Sequence, residues 1–217
     1  MYCQLLSLNS QILKVKRAAV EFTFCFHFIY LLARSCNFFC FLQGAESFAV
    51  KDDFLYSGVQ GGDIMKLDIN QPKKPWEFVA KIGHSCTEVH QEEKCGRVLG
   101  LAFDKSGHLI VADAYFGLYK VNVETGKFWN FWQKNSFLKV CFLGKSTALV
   151  PSTLEIDGKK NLLTNSVAIT QDGKTIYYTV ASTNFVLHNG IYELITSPSG
   201  RVLKYDVYGN FSKVSSI

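Results

Sequence analysis

The sequence predicts an all-β chain of about three β-propeller blades behind an apolar N-terminal segment, and three observations carry that reading. The stretches ESFAVKDDFLYSG from Glu46, LGLAFDKSGHLIVADA from Leu99 and NSVAITQDGKTIYYT from Asn165 each set a short apolar strand, an Asp- or Gly-bearing turn and a second strand in the same order. Each is followed by a third strand-like run, GGDIMKLD at 61–68, GLYKVN at 117–122 and GRVLKYD at 200–206, with Lys66, Lys120 and Lys204 in the same place. No segment beyond residue 43 keeps apolar residues at helical spacing over a helical length. Aligning Ala49, Ala102 and Ala168 gives separations of 53 and 66 residues. A unit of several short strands at that period is a propeller blade. The competing architecture is an antiparallel sandwich, which does not account for two sub-patterns recurring in one order.

The chain begins with a different composition. Residues 1–43 hold Lys14, Lys16, Arg17 and Arg34 against Glu21, and so carry most of the formal net charge of +5. Neither a Lys/Arg run nor a nucleic-acid reader motif follows, so no nucleic-acid partner is expected. Between Glu21 and Arg34 lies the uncharged run FTFCFHFIYLLA. It is shorter than the roughly 20 apolar residues that span a bilayer, and extending it through Arg34 costs about 2.5–3.5 kcal/mol. Residues 1–43 therefore read as a poor signal-anchor, as an apolar tail with no place in a core, or as a gene-model replacement of the true N-terminus.

Residues 44–217 supply the blades. In each hairpin Asp and Gly tolerate the left-handed backbone of a tight turn, while Val, Ile, Tyr and Phe suit half-buried strands. Cys86 and Cys95 bracket the polar run TEVHQEEK, so a disulfide closing a small loop is geometrically easy, and it would indicate an oxidising compartment. The seven cysteines leave at least one thiol unpaired, and without a CxxC pair a zinc site has no support. After the second unit, residues near 127–146 are dense in aromatic residues rather than turn formers, and read as an insertion or a long functional loop. The third unit carries the span Val180–Ser199 between its second and third strands, a surface excursion. Asn210-Phe-Ser forms a glycosylation sequon.

Propeller register singles out the residues ahead of each innermost strand, because those positions converge on the axis. Three residues before the aligned alanines stand Glu46, Leu99 and Asn165. Glu46 and Asn165 could give two of the six to eight oxygens that calcium takes, or could cap a strand entry and hold a turn. Asp113 and Tyr115 follow the second strand of the second unit, where the Asp could be a catalytic carboxylate but is rather expected to satisfy turn amides, with the Tyr packing on the next blade. There is no GxSxG elbow, and the catalytic residues are unknown.

The strings GAESFAV, CGRVLGL after the cysteine pair, ADAYFGLYKV and IDGKKNLLTNSVAITQDGKTIYYT resemble the strictosidine synthase-like six-bladed propellers. The resemblance covers residues 44–126 and about 147–217. It implies that the chain is the N-terminal half of such a ring, a truncated or fragmentary form, with a Cys86–Cys95 disulfide. It further implies a membrane or secretory-pathway location, such as the endoplasmic reticulum or cell surface, with a membrane anchor in the intact family form. The family's kinship with paraoxonases and lactonases implies an arylesterase or lactonase acting on a small ester or lactone through an axial calcium ion held by Glu46 and Asn165. The paraoxonase histidines are replaced here by Leu99 and Ala114. Two alternatives are a non-enzymatic membrane-associated propeller that binds a protein partner, and a condensing enzyme whose catalytic Glu would lie beyond Ile217.

Overall fold

The computed structural model describes residues 42–86, 91–124, 146–206 and 208–216. The expected anchor within residues 1–43 lies outside them up to residue 41, and the expected insertion near 127–146 lies outside them up to residue 145. Among the described residues, twelve strands form three four-stranded antiparallel sheets, each a simple meander. The first holds β1 (Phe48–Lys51), β2 (Phe54–Gly58), β3 (Asp63–Asp68) and β4 (Glu77–Lys81). The second holds β5 (Val98–Phe103), β6 (Leu109–Asp113), β7 (Gly117–Val121) and β8 (Ser146–Pro151). The third holds β9 (Thr164–Ile169), β10 (Thr175–Val180), β11 (Arg201–Asp206) and β12 (Phe211–Ser216). The units repeated in the sequence are thus three consecutive propeller blades.

The hairpins form for the reasons their residues suggest. Asp52 takes a left-handed φ of 54° in the two-residue β1–β2 turn, a region that Asp tolerates better than most residues. In the β5–β6 turn the Asp104 carboxylate accepts the Ser106 and His108 amides at 2.8 and 2.9 Å. Asp172 does the corresponding work in the β9–β10 turn, accepting the Lys174 amide at 3.0 Å.

Each blade has one strand more than the sequence pattern announced. The fourth strands β4, β8 and β12 pair outside the third strands, and all three pairings slip by a bulge at the equivalent place, between Ile64 and Met65, Leu118 and Tyr119, and Val202 and Leu203. A bulge breaks the two-residue alternation by which a strand is read, and these outermost strands also expose much of themselves, as at Glu77, Phe78 and Ser146–Ala148. Their hydrophobic signal is correspondingly weak.

Packing between blades creates the core. Leu109 and Val111 of β6 pack with Tyr56, Ile64, Val79 and Ile82 of the first blade. Ile110 and Ala112, pointing the other way, pack with Ile176, Tyr178, Val180 and Leu203 of the third. Each fully buried aliphatic side chain contributes about 1.5–3 kcal/mol of transfer free energy. The 152–161 segment leading to the third blade is clamped by the buried Arg201. Its guanidinium donates to the carbonyls of Ile156 at 2.6 Å, Lys159 at 2.7 Å and Lys160 at 3.1 Å, and to Asn161 Oδ1 at 3.0 Å.

The innermost strands β1, β5 and β9 lie side by side. The Leu101 amide donates to Ser47 Oγ at 3.3 Å, just ahead of β1. On the other flank, a Cβ at Gly100 would stand 2.7 Å from the Asn165 carbonyl oxygen and 2.9 Å from Ser166 Cα. Those neighbours are backbone and cannot rotate away. Gly100→Ala is therefore expected to separate β5 from β9 and to cost about 1–3 kcal/mol, the range of an overpacked core, measured as a lowered urea midpoint; an unchanged midpoint would show that the inner strands are not tightly apposed.

Candidate functional site at the strand-entry end

The residues leading into β1, β5 and β9 converge at one end of the blades. Glu46, two residues ahead of β1, is half-exposed, and its Oε1 lies 2.7 Å from Arg97 Nη2. Arg97 immediately precedes β5, and its other terminal nitrogen lies 3.6 Å from Glu92 Oε1. Asn165, the second residue of β9, is exposed. Leu99 and Ala114 are buried with Leu163 in a small apolar cluster, flanked by Tyr115, Ala181 and Leu187. Leu99 and Ala114, the positions that the resemblance sets against the paraoxonase histidines, therefore serve packing.

The turn after β6 is organised by Asp113. Its Oδ1 accepts the amides of Tyr115 at 2.9 Å and Phe116 at 3.0 Å, and the side chain is buried beneath Gly96, where a Cβ would meet Oδ2 at 2.8 Å. Burial pushes this carboxyl up to about 6, against the pull of the Tyr115, Phe116 and Arg97 amides and with reinforcement from the negative charge of Glu92. The third blade repeats the device with a neutral group. Ser182 Oγ accepts the Asn184 and Phe185 amides at 3.0 and 2.8 Å. Ser182 and Ser199 are both buried and both donate to the Glu193 carboxylate, which ties down the Ala181–Gly200 excursion. Within that excursion Leu187–Leu194 forms a 3-10 helix.

Cys86 and Cys95 form a disulfide with their Cα atoms 5.7 Å apart. Cys95 ends the one-turn helix α1 (Glu92–Cys95), so the bond holds Glu92 near Arg97. The third-blade excursion meets the same helix, with His188 Nδ1 2.8 Å from Glu93 Oε1. Asn210, in the β11–β12 turn, is exposed, and its side-chain amide donates to Asp206 Oδ2 at 3.0 Å.

Calcium at Glu46 and Asn165 has to be weighed against this geometry. The donor types suit a hard cation, but one of the two Glu46 carboxylate oxygens, Oε1, is already engaged by a guanidinium. Among the described residues, no group of three or more His, Cys, Asp or Glu converges. A divalent ion on Glu46 would sit directly beside the Arg97 charge, so the residues present do not fit one. The role of Arg97 was not read from the sequence; CGRV offers no signal for it, since the partner Glu46 is 51 positions away.

No family model matches the chain. Among curated proteins it is 33% identical over 178 residues to the adipocyte plasma membrane-associated protein Hemomucin of Drosophila melanogaster, covering 80% of this chain and 27% of that protein. The adipocyte plasma membrane-associated proteins of Gallus gallus and Homo sapiens are 32% and 31% identical over 175 residues, in each case 80% of this chain and 37% of theirs. The chain thus spans roughly a quarter to two-fifths of the length of these relatives. Among solved structures, a candidate gluconolactonase superposes with a TM-score of 0.49 at 14% identity, covering 81% of this chain and 49% of the other. No helix among the described residues is long and apolar enough to cross a membrane.

The raised carboxyl of Asp113 sets a pH dependence. Because the folded state holds its proton more tightly than the unfolded chain, its contribution is fully present below about pH 4 and is lost as pH rises through about 6. Raising a carboxyl from its ordinary range to about 6 corresponds to roughly 3 kcal/mol. Asp113→Asn keeps an oxygen for the turn amides and removes the titration, so the fall in unfolding free energy between those limits should shrink by about that amount, as measured by urea titrations across the range. Equal pH slopes in both proteins would contradict the assignment.

Proposed function

Starting from a chain related to the adipocyte plasma membrane-associated proteins over 80% of its length, we propose that its blades belong to a membrane-associated propeller hydrolase acting on small carboxylic esters or lactones. The observation that supports this reading is the meeting of three strand entries at one end. There exposed Asn165 and half-exposed Glu46 stand with the apolar cluster of Leu99, Ala114 and Leu163. Exposed polar groups at that end suit the orientation of an ester carbonyl, while the buried apolar cluster beneath them holds the strand entries in place. In hydrolysis, water adds to the acyl carbon, the bond from that carbon to the alkoxy oxygen breaks, and the departing alcohol takes the proton. Leu99 and Ala114 cannot move that proton, and no residue is assigned the acid–base role. Asn165 is assigned an orienting role.

The test is turnover of phenyl acetate and of a γ-lactone by the full-length chicken relative, with this chain assayed beside it. Turnover by the full-length protein and little or none by the 217-residue chain is the expected pattern. Failure of the full-length protein on both substrates would remove the hydrolase reading.

A second reading has its own observation. The 3-10 helix and the residue after it expose Ile191 (69%), Tyr192 (49%), Leu194 (83%) and Ile195 (78%), although Glu193 among them is anchored to Ser182 and Ser199. Adjacent apolar side chains held outward on a fixed loop suit a protein partner at a membrane surface. Under this reading, serine at 191, 194 and 195 sharply lowers crosslinking to a neighbouring membrane protein in intact cells without moving the thermal midpoint. Unchanged crosslinking would set the partner reading aside.

A further inference from the structure

We infer that Arg97 is the resident cation of the strand-entry end: its guanidinium holds Glu46 and Glu92 together and keeps a divalent ion off Glu46. The placement is imposed by the chain and does not depend on the freedom of a surface side chain. Arg97 follows Gly96, whose φ of 95° sets the entry into β5. Its backbone forms a bridge with Gln60 of the first blade, and its carbonyl accepts the Ala114 amide at 2.9 Å. Only 12% of the side chain is exposed, compared with 49% for Glu46. The guanidinium lies against Gly44, where a Cβ would come within 2.0 Å of Nη1, and Gly44 has a φ of 73°. Glycine suits the left-handed backbone there, and its lack of a side chain leaves the room that the Arg97 guanidinium fills.

The two carboxylates come from opposite sides. Glu46 belongs to the segment entering the first blade, and Glu92 to the helix closed by the Cys86–Cys95 disulfide. One planar group with several donors can bridge two such carboxylates, which lysine does less well. Without Arg97, the carboxylates of Glu46 and Glu92 would lose the cation that stands between them, a setting that draws a hard cation. The side chain thus supplies the charge that a metal would otherwise supply, and it does so without dependence on calcium supply. This goes beyond the hydrolase reading and does not rest on it.

The test follows unfolding and calcium binding in the oxidised 217-residue chain, with calcium chloride as the probe and EDTA as the reference. The quantity read is the part of the calcium response that Glu46→Gln removes. It is expected to be absent in the wild-type chain. In Arg97→Gln it should appear as a rise in thermal midpoint of about 5 °C once calcium is well above its dissociation constant, and it should vanish in Arg97→Gln/Glu46→Gln. Comparison within each pair subtracts any ion bound elsewhere. Glu46-dependent calcium binding in the wild-type chain would overturn the inference, as would its absence from a folded Arg97→Gln. Titration calorimetry of the wild-type and Glu46→Gln chains keeps the first of these decisive even where Arg97→Gln does not fold. Neither readout involves ester turnover, so failure here and failure of the hydrolase reading are distinguishable.

Discussion

Strand β6 is buried on both faces, and the rest of the described structure depends on that. Leu109 and Val111 seal the first blade to the second, while Ile110 and Ala112 seal the second to the third. All four have essentially no exposed surface. A strand between two sheets cannot alternate apolar with polar residues, since either parity would then bury unpaired polar groups. This explains why LIVA is continuous while the strands of the third blade alternate, as in TIYYTV, where Ile176, Tyr178 and Val180 turn inward. The central blade thus sets the spacing and orientation of its neighbours.

At the strand-entry end, the same framework brings together groups of quite different character. Asp113 and Ser182 perform one structural task in successive blades, yet the carboxylate does it at the cost of being buried, and the hydroxyl does it without charge. The charge balance nearby is then completed by Arg97 between Glu46 and Glu92, and by the disulfide that positions α1. Partly buried ion pairs contribute modest net stability because desolvation offsets attraction. What this one provides is placement, linking the entry of the first blade to that of the second.

The legible and illegible parts of the site differ in sequence distance. The turn function of Asp113 was readable from VADAYFG, because its partners Tyr115 and Phe116 are two and three residues on. The Cys86–Cys95 bond was readable from its short loop and its resemblance. Glu46 stood out by register, but its engagement with Arg97 did not, because no local pattern encodes a contact across 51 residues. The fourth strands were missed for a related reason: a bulge in each removes the regular alternation on which recognition rests.

By itself the sequence determined the repeat, the hairpins and the turn chemistry, because these arise from φ/ψ preference and from side chains that meet within a few residues. It also carried the likeness to membrane-associated propeller relatives. Only the tertiary structure decided what each axial residue does. Stacking the blades placed Leu99 and Ala114 in packing, left Asn165 exposed and set a guanidinium against Glu46. Those outcomes depend on which strands become neighbours, and on which polar groups burial then obliges to pair.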